Sequence, residues 1–284
     1  MKKILLLLII LIPLCGCSKN NVVSHNMFYM DTYIEIKLYD VKDDYKNVLL
    51  EVENIYKEYH KLTDRYNKED IVNVYYLNNI LKNKEKIEID KRLSEIISYG
   101  IKMYEKTDGY FNIAMGNVID IWRNYMEEGT DIPKLYELTT ESININHIKL
   151  EGNMYSKTNN VKLDLGGYVK GFVTEKVGEY LEEKGYTKYL INAGGNIKVG
   201  EKYKKKGYVI GLEEPFNTDN IYKKIYLENT SVVTSGSYQR YYEVGGINYN
   251  HIINPKTLFP ENYTKSVSVI CKDSAYADIL STYL

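Results

Sequence analysis

Asp164-Leu-Gly-Gly-Tyr-Val-Lys-Gly171 joins the apolar end of a predicted strand at residues 161–163 to a predicted helix at residues 172–184. Two adjacent glycines ahead of a helix let a ligand approach the backbone, and we expect the N–H groups of the first helical turn to face an anion such as a phosphate. Asp164 can accept a hydrogen bond from a ligand, and Lys170 can place a positive charge beside phosphate oxygens. The stretch therefore predicts a nucleotide site.

The same glycine pair also has a simpler interpretation, because glycines at strand-to-helix turns usually serve only the turn. The spacing of these glycines matches neither a Walker loop nor a dinucleotide-binding fingerprint. The prediction of a nucleotide site therefore depends on what the rest of the chain contributes.

The composition is that of an ordinary globular protein, with 44% hydrophobic and 26% charged residues in a length of 284. This length allows one large domain or two intimate lobes. The formal net charge is −1, because acids balance the lysines and arginines, so the chain shows no electrostatic footprint for nucleic acid. We therefore exclude nucleic acid as a partner.

The N-terminal residues have the pattern of an exported bacterial lipoprotein. Two lysines precede the apolar residues 4–14, a run too short to span a bilayer of about 30 Å as a helix but suited to a secretory signal. Leu14-Cys-Gly-Cys17 resembles a lipoprotein box, which predicts a signal peptide at residues 1–16 and lipid on the Cys17 thiol. The alternative is an ordinary signal with an accidental cysteine.

This interpretation sets the predicted domains and location. Residues 17–26 would form a lipidated, polar tether, and residues 27–284 the folded domain. The acyl chains would anchor the protein to the cell membrane on its extracytoplasmic face. Cys271 would then have no intramolecular disulfide partner.

The first part of the chain has the patterns of a strand and two helices. Residues 28–39 alternate between apolar and polar positions, which indicates a half-buried strand. Residues 48–59 and 93–104 repeat apolar side chains at helical spacing, and Asp108-Gly109 predicts the end of the second helix. Tyr66, in the loop between the helices, could stack on a flat ligand, although an ordinary surface tyrosine is the simpler interpretation.

The last part of the chain is predicted to be mainly strands before a final helix at residues 274–284. Gly245-Gly246 is a two-residue hairpin signal. His251 lies where a strand gives way to a turn, a place that delivers polar groups to clefts, although most single histidines are structural or exposed. Asp278 and Thr282 offer the hard oxygen ligands that Mg²⁺ accepts, although their spacing alone favours an exposed helix face. The predicted strands cover residues 188–191, 208–212, 224–227, 238–243, 248–253 and 265–271.

Seven short stretches make the chain distinctive. They are Met30-Asp-Thr32, Phe111-Asn-Ile-Ala114, residues 164–171, Asn192-Ala-Gly-Gly-Asn196, Thr234-Ser-Gly236, His251-Ile-Ile-Asn-Pro-Lys-Thr257 and Ala277-Asp-Ile-Leu-Ser-Thr282. In this order and spacing they resemble the ApbE family, the FAD:protein FMN transferases. The resemblance runs from about residue 30 to residue 284, and it is specific because no single stretch carries it.

The resemblance implies an α+β fold of mixed or antiparallel sheets flanked by helices, with a flavin cleft between two intimate lobes. Family members use Mg²⁺ to transfer the FMN part of FAD to a Ser or Thr hydroxyl of a target protein, and they release AMP. Some members instead hydrolyse FAD to FMN and AMP. The acceptor that the family suggests is an extracytoplasmic subunit of a redox membrane complex.

The resemblance also implies roles for individual residues. Gly167 is expected to bind the metal through its carbonyl oxygen, and Asp278 and Thr282 through side-chain oxygens. His251 is the expected base for the acceptor hydroxyl, since an imidazole has an ordinary pKa of about 6.5. The expected FAD contacts are Met30, Tyr66, Asn112, Ile113, Ala114, Asp164, Lys170 and Ile252.

The chain departs from the family pattern at several positions. Because several of the contacts concerned are made by backbone atoms, we expect changes in affinity rather than in reaction type. Family members generally continue for some tens of residues past the final Asp and Thr pair, which raises the expectation of a truncated C-terminus with low activity. The departures are Asp31 and Leu258 where glycine is common, Asn112 and Asn254 where Asp is usual, and Ala114 where Thr is usual.

Two other functions remain open at this point. The same site could act on water, which would make the chain a metal-dependent FAD pyrophosphatase. Alternatively, a lipid-anchored protein could bind flavin without catalysis. A pyrophosphatase would turn over FAD with Mg²⁺ in the absence of an acceptor, whereas a binding protein would release no AMP under any condition.

Overall fold

The computed structural model describes residues 22–238 and 240–284, without the side chains of residues 218 and 219. The predicted signal peptide at residues 1–16 and the predicted lipid site at Cys17 lie outside the described residues. Within the described part of the chain, no helix is both long and apolar enough to cross a membrane.

The described residues form helices and antiparallel sheets, which confirms the predicted α+β class. The helices are Tyr45–Thr63 (α1), Val74–Asn79 (α2), Lys91–Lys106 (α3), Gly116–Glu128 (α4), Val169–Glu183 (α5) and Ser274–Tyr283 (α6). The strands are Val22–Tyr29 (β1), Thr32–Tyr39 (β2), Lys86–Glu88 (β3), Ile148–Glu151 (β4), Met154–Lys157 (β5), Tyr189–Ala193 (β6), Asn196–Val199 (β7), Tyr208–Glu214 (β8), Asn217–Leu227 (β9), Thr230–Gly236 (β10), Tyr241–Val244 (β11), Ile247–Asn250 (β12) and Ser266–Cys271 (β13).

A six-stranded sheet with the order β1-β2-β6-β7-β10-β13 forms the centre of the fold. The alternation predicted for β2 is present, since Ile34, Ile36 and Leu38 are fully buried and the residues between them are only partly covered. The buried side chains belong to one apolar core that also contains the inward sides of α1 and α5. Because a slip of one residue would expose all three side chains, this pattern sets the register of the strand.

β1 is a strand that the sequence analysis missed. The tether predicted to reach residue 26 is wrong from Val22 onward, and the single strand predicted at residues 28–39 is in fact two strands. Met30 and Asp31 form the turn between β1 and β2. β1 is an edge strand with one buried side chain, Met27, so it lacks the apolar alternation on which the prediction depended.

At two of the positions that depart from the family pattern, the backbone has a conformation that favours glycine. Asp31 and Leu258 stand where the family commonly has glycine, and both have left-handed backbone angles, with φ of 55° and 63°. Asp tolerates this conformation well, whereas leucine there costs about 1–2 kcal/mol. The buried side chain of Leu258 packs against an apolar cluster that includes Trp122, and this burial offsets the cost.

The ends of the two central helices position the candidate site. α5 begins at Val169 and not at residue 172 as predicted, so Lys170 lies in the first turn of the helix. α6 begins at Ser274, as predicted, and packs against α5, β10 and β13. This packing brings the last helix onto the loop at residues 164–171.

A second apolar cluster lies between α4 and the hairpin of β11 and β12. The predicted turn at Gly245-Gly246 is present, with Val244 opposite Ile247. Trp122 of α4 is buried, and its Nε1 donates a 2.8 Å hydrogen bond to the carbonyl of Leu258. This cluster around the only tryptophan is separate from the apolar core on the central sheet.

Candidate functional site

The loop at residues 164–171 and helix α6 are in direct contact. The N–H of Gly171 donates a 2.8 Å hydrogen bond to Oδ2 of Asp278. A Cβ atom on Gly171 would lie 2.6 Å from the Cβ of Asp278 and even closer to the carbonyl oxygen of Ser274, so glycine is required for this approach. The middle of the chain and its last helix therefore converge at this point.

The sequence predicts that the N–H groups in the first turn of α5 face a bound anion such as a phosphate, but not all of them are free to do so. The N–H of Val169 donates to the carbonyl of Leu165 at 3.1 Å, and that of Gly171 donates to Asp278, so for these two groups the expectation is wrong. Asp278 itself supplies the anion at the N-terminus of α5, where the helix dipole favours negative charge. Lys170 contributes the positive side chain of this turn.

Asp278 is buried, with 5% of its surface exposed, although its spacing from Thr282 alone favoured an exposed face. Burial raises the pKa of the Asp278 carboxyl above its ordinary value, and the nearby charge of Lys170 opposes this rise. A cation bound beside the carboxylate would favour its ionised form.

The three predicted metal ligands lie close together. The hydroxyl of Thr282 donates to the backbone carbonyl of Asp278 at 3.2 Å, and a Cβ on Gly167 would lie 4.0 Å from Cγ2 of Thr282. Among the described residues, no three His, Cys, Asp or Glu side chains form a cluster that could hold a metal ion. A metal ion bound at this point would therefore have fewer than three ligands of these types, with the others drawn from carbonyl, hydroxyl, water or phosphate oxygens.

Asn196 is a polar residue of this region that the sequence analysis did not select. It is 1% exposed, and its Oδ1 accepts a 2.6 Å hydrogen bond from the hydroxyl of Ser274. Its Nδ2 has no partner of good hydrogen-bond geometry among the described atoms, yet it lies close enough to Asp278 to oppose the pKa rise that burial causes there. The site thus contains a buried donor directed at the contact between Gly171 and Asp278.

Asp164 belongs to an ion network that centres on Arg65, another residue that the sequence analysis did not select. Arg65 is buried and donates to Asp164 at 2.9 Å and to Asp120 at 2.7 Å. Lys162 pairs with the second oxygen of Asp120 at 2.8 Å. Burial acts against the charge of Arg65, but the two carboxylates hold its pKa above the ordinary value. Asp164 is thus oriented by the protein before any ligand binds.

Tyr66 is exposed, as predicted, but its ring is not free of neighbours. The guanidinium carbon of Arg123 lies 4.1 Å from the ring centroid, and that of Arg65 lies 5.2 Å away. Both distances are within the range of a cation–π interaction. A flavin ring that stacked on Tyr66 would have to share the tyrosine with Arg123 or displace it.

The segment from Asn112 to Ala114 runs beside the start of the central loop. The carbonyl of Ile113 accepts a 2.8 Å hydrogen bond from the N–H of Asp164. The N–H of Ala114 donates to Oδ1 of Asn112, whose Nδ2 donates to the carbonyl of Ile143, both at 2.8 Å. The segment is near the site, but these particular groups already have partners within the protein.

Met30 lies in the turn between β1 and β2. Two residues on, Thr32 lies so close to Gly194 that a Cβ atom there would overlap its hydroxyl. The carbonyl of the next residue, Gly195, accepts a 3.2 Å hydrogen bond from the N–H of Thr234 in β10. Met30 therefore lies at the end of the sheet that also carries residues 234–236.

His251 follows β12 at the predicted strand end. Its Nδ1 lies 3.3 Å from the carbonyl oxygen of Arg240, which assigns the proton to Nδ1 and leaves Nε2 as the acceptor. The residue reaches solvent, but surrounding protein atoms desolvate the ring, and this effect, with the charges of Arg240 and Lys170, lowers the pKa of His251 below 6.5. The N–H of the next residue, Ile252, donates to Asn250 at 2.7 Å. The lowered pKa favours the neutral form of the His251 imidazole at pH 7.

Two shallow surface depressions are lined by residues outside this region. One is lined by Tyr59 of α1 and Lys176 of α5, and the other lies beside Lys91 and Ser94 of α3. Both are open to solvent. Neither is the cleft that was predicted between the two lobes.

Comparison with known proteins matches the same part of the chain to one family. The sequence profile of the ApbE family matches residues 30–284. The FAD:protein FMN transferase of Buchnera aphidicola subsp. Schizaphis graminum is 29% identical over 263 residues, which cover 88% of this chain and 75% of that protein. The FAD:protein FMN transferase of Klebsiella pneumoniae (strain 342) is 27% identical over 276 residues, which cover 94% of this chain and 83% of that protein.

A solved structure shows the same fold. The flavin transferase ApbE from Vibrio cholerae superposes with a TM-score of 0.80 at 23% identity, over 93% of this chain and 86% of the other. The match of the family profile extends from Met30 to the last helix, and so includes each of the seven stretches that carried the resemblance. The chain belongs to the ApbE family.

Proposed function

We propose that this protein transfers the FMN part of FAD to a Ser or Thr hydroxyl of a target protein, with release of AMP, in a reaction that requires Mg²⁺. The observation that carries this proposal is the contact of Gly171 with Asp278, which joins the central loop to the last helix. The names of the curated relatives from Buchnera and Klebsiella support the same reaction.

The oxygen atoms at this contact fit a magnesium ion. Mg²⁺ prefers hard oxygen ligands and is commonly bound by one or two carboxylates together with water and substrate phosphates. Here Asp278, the carbonyl of Gly167 and the hydroxyl of Thr282 would hold it. When bound, the ion would neutralise charge that develops on the phosphate oxygens of FAD.

Lys170 and Asp164 are proposed to bind and orient FAD. Lys170 lies in the first turn of α5 and is close enough to Asp278 and His251 to influence the pKa of both. It can therefore place its ammonium group against the two phosphates. Asp164, held by Arg65, has lone pairs left to accept hydrogen bonds from FAD.

His251 is proposed as the base that receives the acceptor proton. The acceptor oxygen forms a bond to the phosphorus of FMN, the bond from that phosphorus to the bridging oxygen breaks, and AMP leaves with the bridging oxygen. The hydroxyl proton goes to Nε2 of His251, which is available because Nδ1 faces the carbonyl of Arg240. The lowered pKa keeps the imidazole neutral at pH 7.

The location and the acceptor are further parts of the proposal. The pattern of residues 1–17 supports a lipid anchor on Cys17 that holds the protein at the extracytoplasmic face of the membrane. An acceptor reached from there would be the extracytoplasmic segment of a membrane redox protein, with a Ser or Thr that can enter the site.

The test is to coexpress the protein with such an acceptor and to examine the acceptor by mass spectrometry. We expect covalent FMN on one Ser or Thr of the acceptor. With purified components, FAD and Mg²⁺, we expect one AMP for each FMN attached.

A parallel reaction without acceptor separates the alternatives. AMP that forms at the same rate without acceptor would identify an FAD pyrophosphatase. Bound FAD with no AMP in either reaction would identify a flavin-binding protein without catalysis. Either result would overturn the transferase proposal.

A further inference from the structure

We propose that the protein rests on an anionic lipid surface through one lysine-rich face, with the candidate site directed away from the membrane. This face is formed by the turn before β8 and by the outer side of the β8–β9 hairpin. We call it the lysine face and define it by the exposed side chains of Lys204, Lys205, Lys206, Tyr222, Lys224 and Tyr226.

The β8–β9 hairpin has one side that packs and one that does not. The inner side carries Tyr208 and Leu227, which are buried in an apolar cluster with residues of the central sheet. The outer side carries Val209 opposite Tyr226, and these side chains are 54% and 55% exposed. Tyr222 is 71% exposed. The outer side therefore presents aromatic and aliphatic surface to its surroundings.

The turn before β8 adds positive charge to this surface. Among the described side chains, Lys204, Lys205 and Lys206 form no ion pair with a carboxylate, whereas Lys202 is paired with Glu228 at 3.2 Å. The Nζ of Lys206 lies 5.8 Å from the ring centroid of Tyr226, which connects the turn to the outer side of the hairpin. The carboxylates of β8 are at its other end, in residues 213–214. Within the described part of the chain, none of the three lysines is therefore neutralised by a direct ion pair, and Glu228, which lies beside Gly207, is paired with Lys202.

The chain enters the fold beside the lysine face. Val22, the first residue of β1, is paired with Tyr39 of β2. The ring of Tyr39 stacks on Tyr203, which stands next to the three lysines, with centroids 4.0 Å apart. If lipid is attached at Cys17, as proposed above, the five intervening steps can span at most about 17 Å. The anchor would therefore hold this end of the protein close to the lipid headgroups.

The candidate site lies at the other end of the same strands. β1 runs from Val22 to Tyr29, and Met30 follows at once in the turn. A strand of this length spans about 26 Å. Docking of the lysine face would therefore leave the loop at residues 164–171 and its partner helix open to an acceptor approaching from the aqueous side.

An anionic membrane suits the chemistry of this face. Lysine ammonium groups bind lipid phosphates, and each lysine near such a surface adds about fivefold to the binding. Tyrosine rings settle at the level of the headgroups because one end is apolar and the other polar. A face that combines lysine and tyrosine side chains beside a lipid anchor fits a phospholipid surface better than it fits a second protein.

The experiment compares amide hydrogen exchange of the full chain on two kinds of vesicle. One kind contains phosphatidylcholine alone, and the other contains phosphatidylcholine mixed with phosphatidylglycerol. We expect slower exchange in residues 202–206 and in β9 on the anionic vesicles only, with no change at the Met30 turn. Added salt should remove the difference, because it screens the lysine charges.

Two matched variants sharpen the comparison. Lys204→Gln/Lys205→Gln/Lys206→Gln removes three charges from the lysine face, and we expect docking to anionic vesicles to weaken about 100-fold. Lys91→Gln/Lys102→Gln/Lys106→Gln removes three exposed lysines from α3 and should keep the protection of the native chain. FMN transfer to a soluble acceptor should be the same in both variants, so that a failure of docking is distinguished from a failure of catalysis.

Equal exchange of the native chain on both kinds of vesicle would overturn the proposal, and this measurement requires no variant to fold. Protection that survives in the lysine-face variant would also overturn it. So would protection of the lysine face by an acidic protein but not by anionic lipid.

Discussion

The two carboxylates of the candidate site, Asp164 and Asp278, differ in burial and in ion pairing. Asp164 is largely buried, with 15% of its side chain exposed, and is paired with the guanidinium of Arg65, so its charge has a partner within the protein. Asp278 is more deeply buried and, among the described residues, forms no ion pair, with Lys170 as the nearby positive group. An uncompensated buried charge is costly and is typical of functional sites. This difference supports our proposal that Asp278 is the carboxylate ligand of the metal and that Asp164 accepts hydrogen bonds from FAD.

The largest expected effect follows from removing the charge of Asp278. Asp278→Asn keeps the shape of the side chain and can still accept from Gly171, but it removes the only proposed carboxylate ligand of the metal. We expect FMN transfer at saturating Mg²⁺ to fall by about 1,000-fold. Steady-state AMP release measures the change.

The control for this substitution is Glu183→Gln, an exposed acid at the end of α5. It should leave transfer unchanged. The unfolding midpoint of Asp278→Asn should not fall, because the substitution removes a buried charge while it keeps the hydrogen bond. Unchanged turnover of Asp278→Asn would remove Asp278 from the proposed metal site.

The second prediction tests how much the ion pair of Asp164 with Arg65 contributes to stability. Arg65→Met leaves Asp164 and Asp120 without their shared partner, and we expect the free energy of unfolding to fall by about 3 kcal/mol. Arg92→Met is the matched control, since Arg92 lies at the surface and its ion pairs contribute at most about 1 kcal/mol. Denaturant unfolding measures both. Equal losses for the two variants would show that the buried network is no stronger than a surface pair.

The third prediction concerns His251, whose pKa, like that of Asp278, is influenced by the charge of Lys170. If His251 is the base, transfer should require its neutral form, so the rate should rise with pH through the lowered pKa, below 6.5, and be level at pH 7. His251→Gln should lower kcat/KM by about 100-fold and remove this rise. Lys170→Met should raise the pKa of His251 by removing a neighbouring positive charge and so shift the rise to higher pH. A pH profile that is the same in all three proteins would rule out His251 as the base.

The smallest expected effect is on the pH dependence of stability, and it comes from a buried lysine without a carboxylate partner. Lys157 is 2% exposed and donates to the carbonyl of Asn78 at 2.8 Å, and among the described residues it has no carboxylate partner. Burial, with a contribution from Lys162, lowers the pKa of Lys157 to about 8. Between this value and the ordinary value near 10.5, the unfolded chain binds the proton and the folded chain does not. Stability should therefore rise with pH in that window.

The measurement is the free energy of unfolding of the native protein and of Lys157→Met as a function of pH. Relative to the variant, the native protein should gain about 2 kcal/mol from pH 8 to about pH 9.5. The difference between the two proteins cancels the titration of the buried tyrosines, which acts in the opposite direction above about pH 10. A constant difference would mean that Lys157 keeps its ordinary pKa in the folded state.

The elements that the sequence predicted well are those whose signals are local. The alternation in β2, the Gly245-Gly246 hairpin and the final helix at Ser274 each follow from a period of 2 or 3.6 or from turn chemistry, and the structure contains all three. β1 was missed because its only buried side chain is Met27. An edge strand is held by pairing with its neighbour, and that pairing is not visible in its own residues.

The candidate site shows the same division. The glycine-rich loop and the Asp and Thr of the last helix were selected from the sequence. Only the structure shows why residue 171 must be glycine, since a Cβ atom there would overlap the last helix. Arg65 was not selected, because its contact with Asp164 joins residues 99 positions apart. Asn196 was not selected either, since its partner Ser274 is 78 positions away.

By itself, the sequence determined the family, through seven short stretches in order, and with it the α+β class and the candidate residues of the proposed phosphate and metal site. The tertiary structure decided which carboxylate is compensated and which is not. Burial and ion pairing depend on elements brought together from distant parts of the chain, and the burial that raises the pKa of Asp278 comes from such packing.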